Sequence, residues 1–410
     1  MGARVRGCEG ARVQVLRTSA PSRTRTFAPS HLRTLAPLTA FLLIVAPGSA
    51  AQRASLTAAP QLAAVYDAIF DAQFTAVPDL LAKTCPPAPV EVCGLLDAVA
   101  TWWRIQLDPH NRSHDAAFQV RIDPAIAAID EWTTRAPQQA EAWFYLGGAY
   151  GVRAQWRVLR EERLAAARDG KRIKDSLERA VALAPALQDA YFGIGLYHYY
   201  ADVAPAAARI LRWLLLLPGG DKTRGMEEML RARSGGQLLG SEADYQLHLI
   251  YLWYEKQPER ALALLRALRD RHPRNPHFWQ LIAEVHDVYR QDLTASLRAW
   301  EELLDAARGR RVAQPAMAET YARLGIALQL DRLNQTEAAL PHLRAVIEAK
   351  PDAPYGALAQ AQLQLGQALD RLGARSDAIA AYRAALASIP TGDALKIADR
   401  ARAGLRTRVR

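Results

Sequence analysis

AQAQLQLGQALDRLGARSDAIAAYRAALASIPTG, residues 359–392, reads as two consecutive amphipathic helices. Its residues are mostly strong helix formers, and its apolar positions recur at i, i+3 and i+4 instead of alternating as in a strand. Leu365, Gly366, Leu369, Gly373, Ala378, Tyr382, Ala385 and Pro390 carry the pattern. The same pattern recurs upstream, indexed by five helix-ending prolines, Pro137, Pro185, Pro273, Pro351 and Pro390. Twelve residues before each stands Ala125, Ile173, Ala261, Ala339 or Ala378; eight before stands Ile129, Leu177, Leu265, Leu343 or Tyr382; five before stands Trp132, Ala180, Leu268, Val346 or Ala385. These three columns form one face of a helix. Six residues after the first three prolines come Trp143, Tyr191 and Trp279, then Leu146-Gly147, Ile194-Gly195 and Ile282-Ala283, then Tyr150, His198 and His286. Residues 242–275 make a second full 34-residue unit.

These columns resemble the tetratricopeptide repeat, and with the leader described below the chain resembles exported bacterial tetratricopeptide proteins. The resemblance implies an all-α chain, an α-solenoid of about six tetratricopeptide-like helical hairpins. Two units depart from the standard length. One first helix runs on through Trp156 and Arg160 to an expected stop near Gly170; the next runs through Tyr199, Tyr200 and Ile210–Leu217 to a turn at Pro218-Gly219-Gly220. In repeats of this type, positions 2, 5, 9 and 12 of the first helix line a concave groove. Here they are Asp189, Phe192, Leu196 and Tyr199, then Ala243, Gln246, Ile250 and Trp253, then His277, Gln280, Glu284 and Asp287. Aromatic anchors beside amides and acids suit a protein or peptide partner, an extended segment or a helix. The competing reading is that these side chains pack the interior of a tight superhelix. The Lys and Asn that clamp a C-terminal carboxylate are absent from positions 5 and 9.

The composition agrees with a soluble protein: 50% hydrophobic and 23% charged residues over 410 positions. Of the net charge of +10, the first 34 residues hold +6, seven arginines against Glu9 alone, leaving +4 for the rest. Charges in the body are mixed instead of gathered in a basic stripe, which points away from nucleic acid. His31-Leu32-Arg33-Thr34, the apolar run Leu35–Val45 and Ala46-Pro47-Gly48-Ser49-Ala50-Ala51 make a secretory signal, cleavable after Ala50 or Ala51. The run is too short to span a bilayer, so no integral membrane span is expected after cleavage. The expected location is periplasmic or secreted; the Arg-rich, acid-poor leader also suits a mitochondrial presequence.

Three cysteines exclude a disulfide-dense scaffold or a multi-finger zinc protein. Cys85 and Cys93 flank the proline-stiffened loop 86–92. In an oxidising compartment a disulfide there contributes about 2–3 kcal/mol; the other reading is two buried thiols. The expected organisation is a basic low-complexity extension (1–34), the signal's apolar and cleavage regions (35–51), an N-terminal helical cap with the Cys85/Cys93 loop (52–110), a long-helix repeat half (111–305), a regular repeat half (306–392) and a C-terminal capping helix (393–410).

The candidates for chemistry are few. Gly219-Gly220-Asp221-Lys222-Thr223 lacks the glycine spacing of a phosphate loop and reads as a turn with an Asp N-cap. His110 and His114 stand four apart, but Pro109, Asn111 and Ser113 place them in a turn. Neither a catalytic constellation nor a metal or cofactor motif is expected. The reading is a non-enzymatic exported scaffold that binds a protein or peptide in its concave groove. The alternatives are a peripheral enzyme or metal-binding repeat protein, or a membrane-surface protein using the apolar run Ile210–Leu217.

Overall fold

A computed structural model describes residues 55–203 and 219–409. The expected leader with its expected cleavage sites, the run 210–217 and Pro218 lie outside the described residues. Among those described there is no strand. Two short helices, α1 (Ala59–Phe70) and α2 (Val77–Thr84), precede seven hairpins. These are α3 (Val90–Leu107) with α4 (Asp115–Arg135), α5 (Ala140–Leu159) with α6 (Arg163–Leu183), and α7 (Ala190–Val203) with α8 (Lys222–Gly235). Then follow α9 (Gly240–Trp253) with α10 (Pro258–Arg271), α11 (Pro276–Glu284, continued by a π turn Val285–Tyr289) with α12 (Leu293–Arg308), α13 (Pro315–Arg332) with α14 (Thr336–Ala349), and α15 (Ala357–Arg371) with α16 (Arg375–Ala387). Helix α17 (Ile397–Arg406) closes the array.

The sequence columns have direct physical counterparts. A Cβ on Gly147 would sit 2.6 Å from Leu177 Cγ, and one on Gly366 would sit 2.6 Å from Tyr382 Cε1. The small residue of the first helix is therefore the seat for the large residue eight before the proline. The aromatic six after each of the first three prolines folds back over it: Trp143 Nε1 donates to Pro137 O at 3.0 Å, Tyr191 OH to Pro185 O at 3.1 Å and Trp279 Nε1 to Pro273 O at 3.1 Å. The helix-ending carbonyl thus gains a donor, and the aromatic column locks the edge where one hairpin passes to the next.

Two details differ from expectation. The first hairpin, α3 with α4, spans residue 110, the expected end of a separate cap. The long unit does not stop near Gly170, which lies inside α6. Its turn comes at Arg160–Glu162, with Glu161 at φ 63°. Asp169 is buried there and draws Arg153 (2.8 Å) and Arg157 (2.6 Å) from α5, so the helix continues through Gly170. Helix α7 is described as far as Val203, and its expected continuation through Ile210–Leu217 lies outside the described residues. On the other side of that connection, Asp221 caps α8, its carboxylate accepting from Arg224 N at 3.0 Å.

Helices α7 and α8 approach unusually closely. A Cβ on Gly195 would lie 2.6 Å from Gly225 O, and a Cβ on Gly225 would lie 2.6 Å from both Gly195 O and Tyr199 N. Because backbone atoms cannot rotate away, Gly225→Ala is expected to cost about 2–3 kcal/mol. A urea titration reads this directly, and a loss below about 0.5 kcal/mol would contradict the approach.

The N-terminal segment is not a cap stacked on the end of the array. It crosses the first helices and turns of successive hairpins. Thr57 N and Oγ1 donate to Glu141 at 2.7 and 2.8 Å, and Leu56 N donates to Gln237 Oε1 at 3.2 Å. Farther along, Asn275 Nδ2 donates to Phe70 O at 2.7 Å and Arg274 N donates to Asp71 Oδ1 at 2.8 Å. Tyr321 OH donates to Leu107 O at 3.2 Å, and Tyr355 N donates to Asp108 Oδ2 at 2.9 Å. The segment therefore ties α5 to the loop before α15. Its aromatic centre is Trp103, with ring centroids 4.3 Å from Phe70, 5.0 Å from Tyr245 and 6.0 Å from Phe278.

Candidate functional site

The expected groove residues fall into two groups. Asp189, Phe192, Tyr199 and Gln246 are buried, so they do not present a surface in this conformation. Asp189 is a hub: its carboxylate accepts from Gln237 N (2.6 Å), Leu238 N (2.9 Å) and Leu239 N (2.8 Å), which fixes the entry into α9. Tyr199 donates to Glu255, and Gln246 Nε2 donates to Glu242 Oε1 at 3.1 Å and Gln155 Oε1 at 3.2 Å. Leu196, Gln280 and Glu284 are half-buried, with Gln280 Nε2 donating to Glu284 Oε1 at 2.8 Å. Trp253 is exposed, 45% of its surface open, at the end of α9. The physical reason is close stacking of the repeats: Tyr200 and Tyr254 cover Tyr199, and Gln155 and Glu242 meet Gln246.

That enclosure creates a buried polar cluster. Tyr245 OH accepts from Gln106 Nε2 at 3.1 Å and lies 3.2 Å from His277 Nε2. His248 is fully buried and neither ring nitrogen has a hydrogen-bond partner. Burial lowers its pKa to about 3 and that of His277 to about 4. His272, against Phe70 and hydrogen-bonded to Ser241 Oγ at 2.9 Å, falls to about 4 through burial and then the charge of Arg271. Burial raises Glu242 to about 7, against the opposing bonds from Gln246 and Gln155. Glu284 is raised for the same reason.

Cys85 and Cys93 are joined as a disulfide between α2 and the first turn of α3. His110 and His114 do not converge. The His110 ring lies 6.3 Å from Tyr355, and His114 precedes α4. Among the described residues, no three His, Cys, Asp or Glu side chains gather around a common point as metal ligands. No described helix is long and apolar enough to cross a membrane.

An open cleft of about 1020 Å³ lies in the regular half, where α13 turns into α14 and α15 into α16, against the chain's last described residues. Asn334, Gln335, Thr336, Glu337, Arg371 and Leu372 line it with residues 407–409. Its walls are held firmly. Asp331 accepts from Thr336 Oγ1 at 2.9 Å and Arg371 Nη1 at 2.5 Å. Asp370, fully buried, accepts from Val409 N (3.0 Å), Arg375 Nη1 (2.9 Å) and Tyr382 OH (2.9 Å). Burial works against its charge, but those bonds prevail and hold its carboxyl below the usual range. Sequence reasoning missed this cleft. The signal that could have found it is Leu333-Asn334 and Leu372-Gly373, which end the first helix at equivalent places in adjacent units.

No family model matches the chain, and no curated protein does. Solved structures do. The crystal structure of the APC/C hetero-tetramer Cut9–Hcn1 aligns at 11% identity over 77% of this chain and 55% of that one, with a TM-score of 0.38. The crystal structure of yeast Tom70 aligns at 13% identity over 75% and 63%, with a TM-score of 0.37. The chain spans less than two thirds of either. The hairpin stack itself establishes the fold: this chain is a tetratricopeptide-like all-α solenoid.

Proposed function

We propose that the protein is a non-enzymatic scaffold, exported from the cytoplasm, that holds a protein or peptide partner in the open cleft of its regular half. The observation that carries this reading is the cleft: a rigid concavity offering amides, Glu337, Arg371 and the exposed apolar Leu372 to one ligand. The strongly perturbed groups Glu242, His248 and His277 instead sit where the N-terminal segment and inner helices meet, facing protein. The leader supports export, and an oxidising compartment suits the Cys85–Cys93 disulfide.

Leu372→Asp tests the site, because the side chain is already exposed and the change leaves the core alone. With a partner captured stoichiometrically from the envelope fraction, chemical cross-links should map to 334–338 and 371–372. Leu372→Asp should weaken capture roughly tenfold. Unchanged capture, with cross-links elsewhere, would remove the cleft from consideration. Mass spectrometry of the same bait should give an N-terminus following Ala50 or Ala51; an intact leader on cytosolic protein would end the export reading.

A further inference from the structure

The regular half carries a repeated link at the edge where the first helix of a hairpin turns into the second. Asp287 accepts from Arg332, Asp331 accepts from Arg371 Nη1 at 2.5 Å, and Asp370 O accepts from Arg408 Nε at 2.8 Å. Each arginine reaches back one unit, and the dipeptides Asp331-Arg332 and Asp370-Arg371 continue the row. Helix α17 with residues 407–409 therefore stands where the first helix of a further unit would, and Arg408 stands where Arg332 and Arg371 do.

The last link differs in charge. Arg332 and Arg371 each lie against a carboxylate. Asp370 has spent its carboxylate on Arg375, Tyr382 OH and Val409 N, so Arg408 meets only a backbone carbonyl. Its guanidinium is exposed, has no carboxylate partner among the described residues, and keeps both terminal nitrogens open. The other side of the cleft holds the converse: Glu337, in the first turn of α14, is exposed and makes no ion pair with a described residue. The remaining charges of these elements are spent, as with Arg402 on Asp399, or lie outside the lining, as with the exposed Arg406 and Asp377, which offset each other.

Between the two open charges lies an apolar contact. The order of stacking puts the α15–α16 turn, with Leu372, between the α13–α14 turn and residues 407–409. Leu372 exposes 40% of its surface, and among the described residues it is the exposed large apolar side chain of the regular half. The others, from Val90 and Val120 on the first hairpin to Tyr289, belong to the units before it. Asn334 and Gln335 are exposed with unspent amides, which suit the open backbone of an extended chain better than a helix that has already satisfied its own.

We infer, on the reading that this cleft is the partner site, that its occupant is an extended peptide segment with an acidic side chain against Arg408, an apolar one on Leu372 and a basic one against Glu337. The open fork of Arg408 matches a carboxylate in bidentate fashion. Opposite charges at the two ends fix the direction of the segment, because the reversed order sets like charges together.

Peptide selection tests it, with the full chain as bait and a library of acetylated, amidated decapeptides, about 33 Å long when extended. The natural chain should select sequences that carry an acidic, an apolar and a basic residue in one fixed order. Arg408→Gln should erase the preference for the acidic residue, and Arg408→Glu should turn it into a preference for a basic one. Glu337→Lys should likewise exchange basic for acidic at the other end. Each reversal should weaken the peptide chosen by the natural chain about tenfold in fluorescence anisotropy, with helicity and thermal midpoint unchanged. Absence of any selected sequence, or the same charge preference in the folded variants, would overturn the proposal. Leu372→Asp separates it from the cleft reading. Peptides selected without charge preference that still lose binding in Leu372→Asp leave the cleft standing, whereas peptides that bind Leu372→Asp undiminished remove both.

Discussion

Trp103→Ala is expected to lower the unfolding free energy by about 3–5 kcal/mol and to release the N-terminal segment before the rest of the solenoid. The ring is 1% exposed and meets Phe70 from its own segment and Tyr245 and Phe278 from the inner helices. Truncation removes the aromatic body that couples residues far apart in the chain and leaves a cavity between rigid helices that cannot collapse freely. Hydrogen bonds from Arg274 and Asn275 to the end of α1 then carry the attachment with less apolar support. Urea unfolding reads the size of the loss. Hydrogen exchange reads its order: amides of 59–70 should lose protection while those of α13 to α16 keep theirs. A loss under about 1 kcal/mol, or uniform loss of protection, would show that the segment is not held through Trp103.

The repeats were legible because they are periodic. Gly147 with Leu177 and Gly366 with Tyr382 are neighbours in the hairpin, and their spacing recurs, so a column in sequence is a contact in space. The N-terminal crossing has no such echo. Phe70 and Trp103 look like ordinary apolar helix positions, and their partners lie up to about two hundred residues away with no repeated interval. One signal was available. Of the 18 residues of α3, 12 are buried, and its sequence VEVCGLLDAVATWWRIQL is apolar over more than one face, unlike a terminal repeat, which needs a polar outer side. The groove positions were counted correctly along the helices, but counting assumes an open superhelix. Where neighbouring hairpins close over the helix, Phe192 and Gln246 belong to the interior while Trp253, at the helix end, stays outside. Asp189 shows the same limit: it ties three backbone donors of a neighbouring turn, a role that depends on tertiary contact alone.

Acidification should weaken the same interior. In an unfolded chain histidine protonates near pH 6.5, whereas in the fold His248 stays neutral to about 3 and His272 and His277 to about 4. Below pH 6.5 the unfolded state therefore binds up to three more protons at these rings, and stability falls as pH falls. Two carboxyls facing the cluster act in the opposite sense. Glu242, raised to about 7, and Glu284, also raised, take up protons in the fold before they do in the unfolded chain, and they gain stability as pH drops toward 4.5. Asp67 and Asp108, both raised by burial, contribute in that sense closer to pH 4. Three histidines against at most two glutamate protons leave at least about one proton, or at least about 1.4 kcal/mol per pH unit, and His110, His286 and His342, also lowered by burial, act on the same side. From pH 6.5 to 4.5 the loss is at least about 2 kcal/mol. Glu242→Gln separates the two contributions. It removes one opposing group without emptying the space, so it should raise stability at pH 8 and steepen the acid slope by up to about 1.4 kcal/mol per pH unit. Chemical denaturation at pH 8, 6.5, 5.5 and 4.5 measures both. A flat profile in the natural chain, or an unchanged slope in Glu242→Gln, would mean that water reaches these rings and the N-terminal segment does not seal the interior.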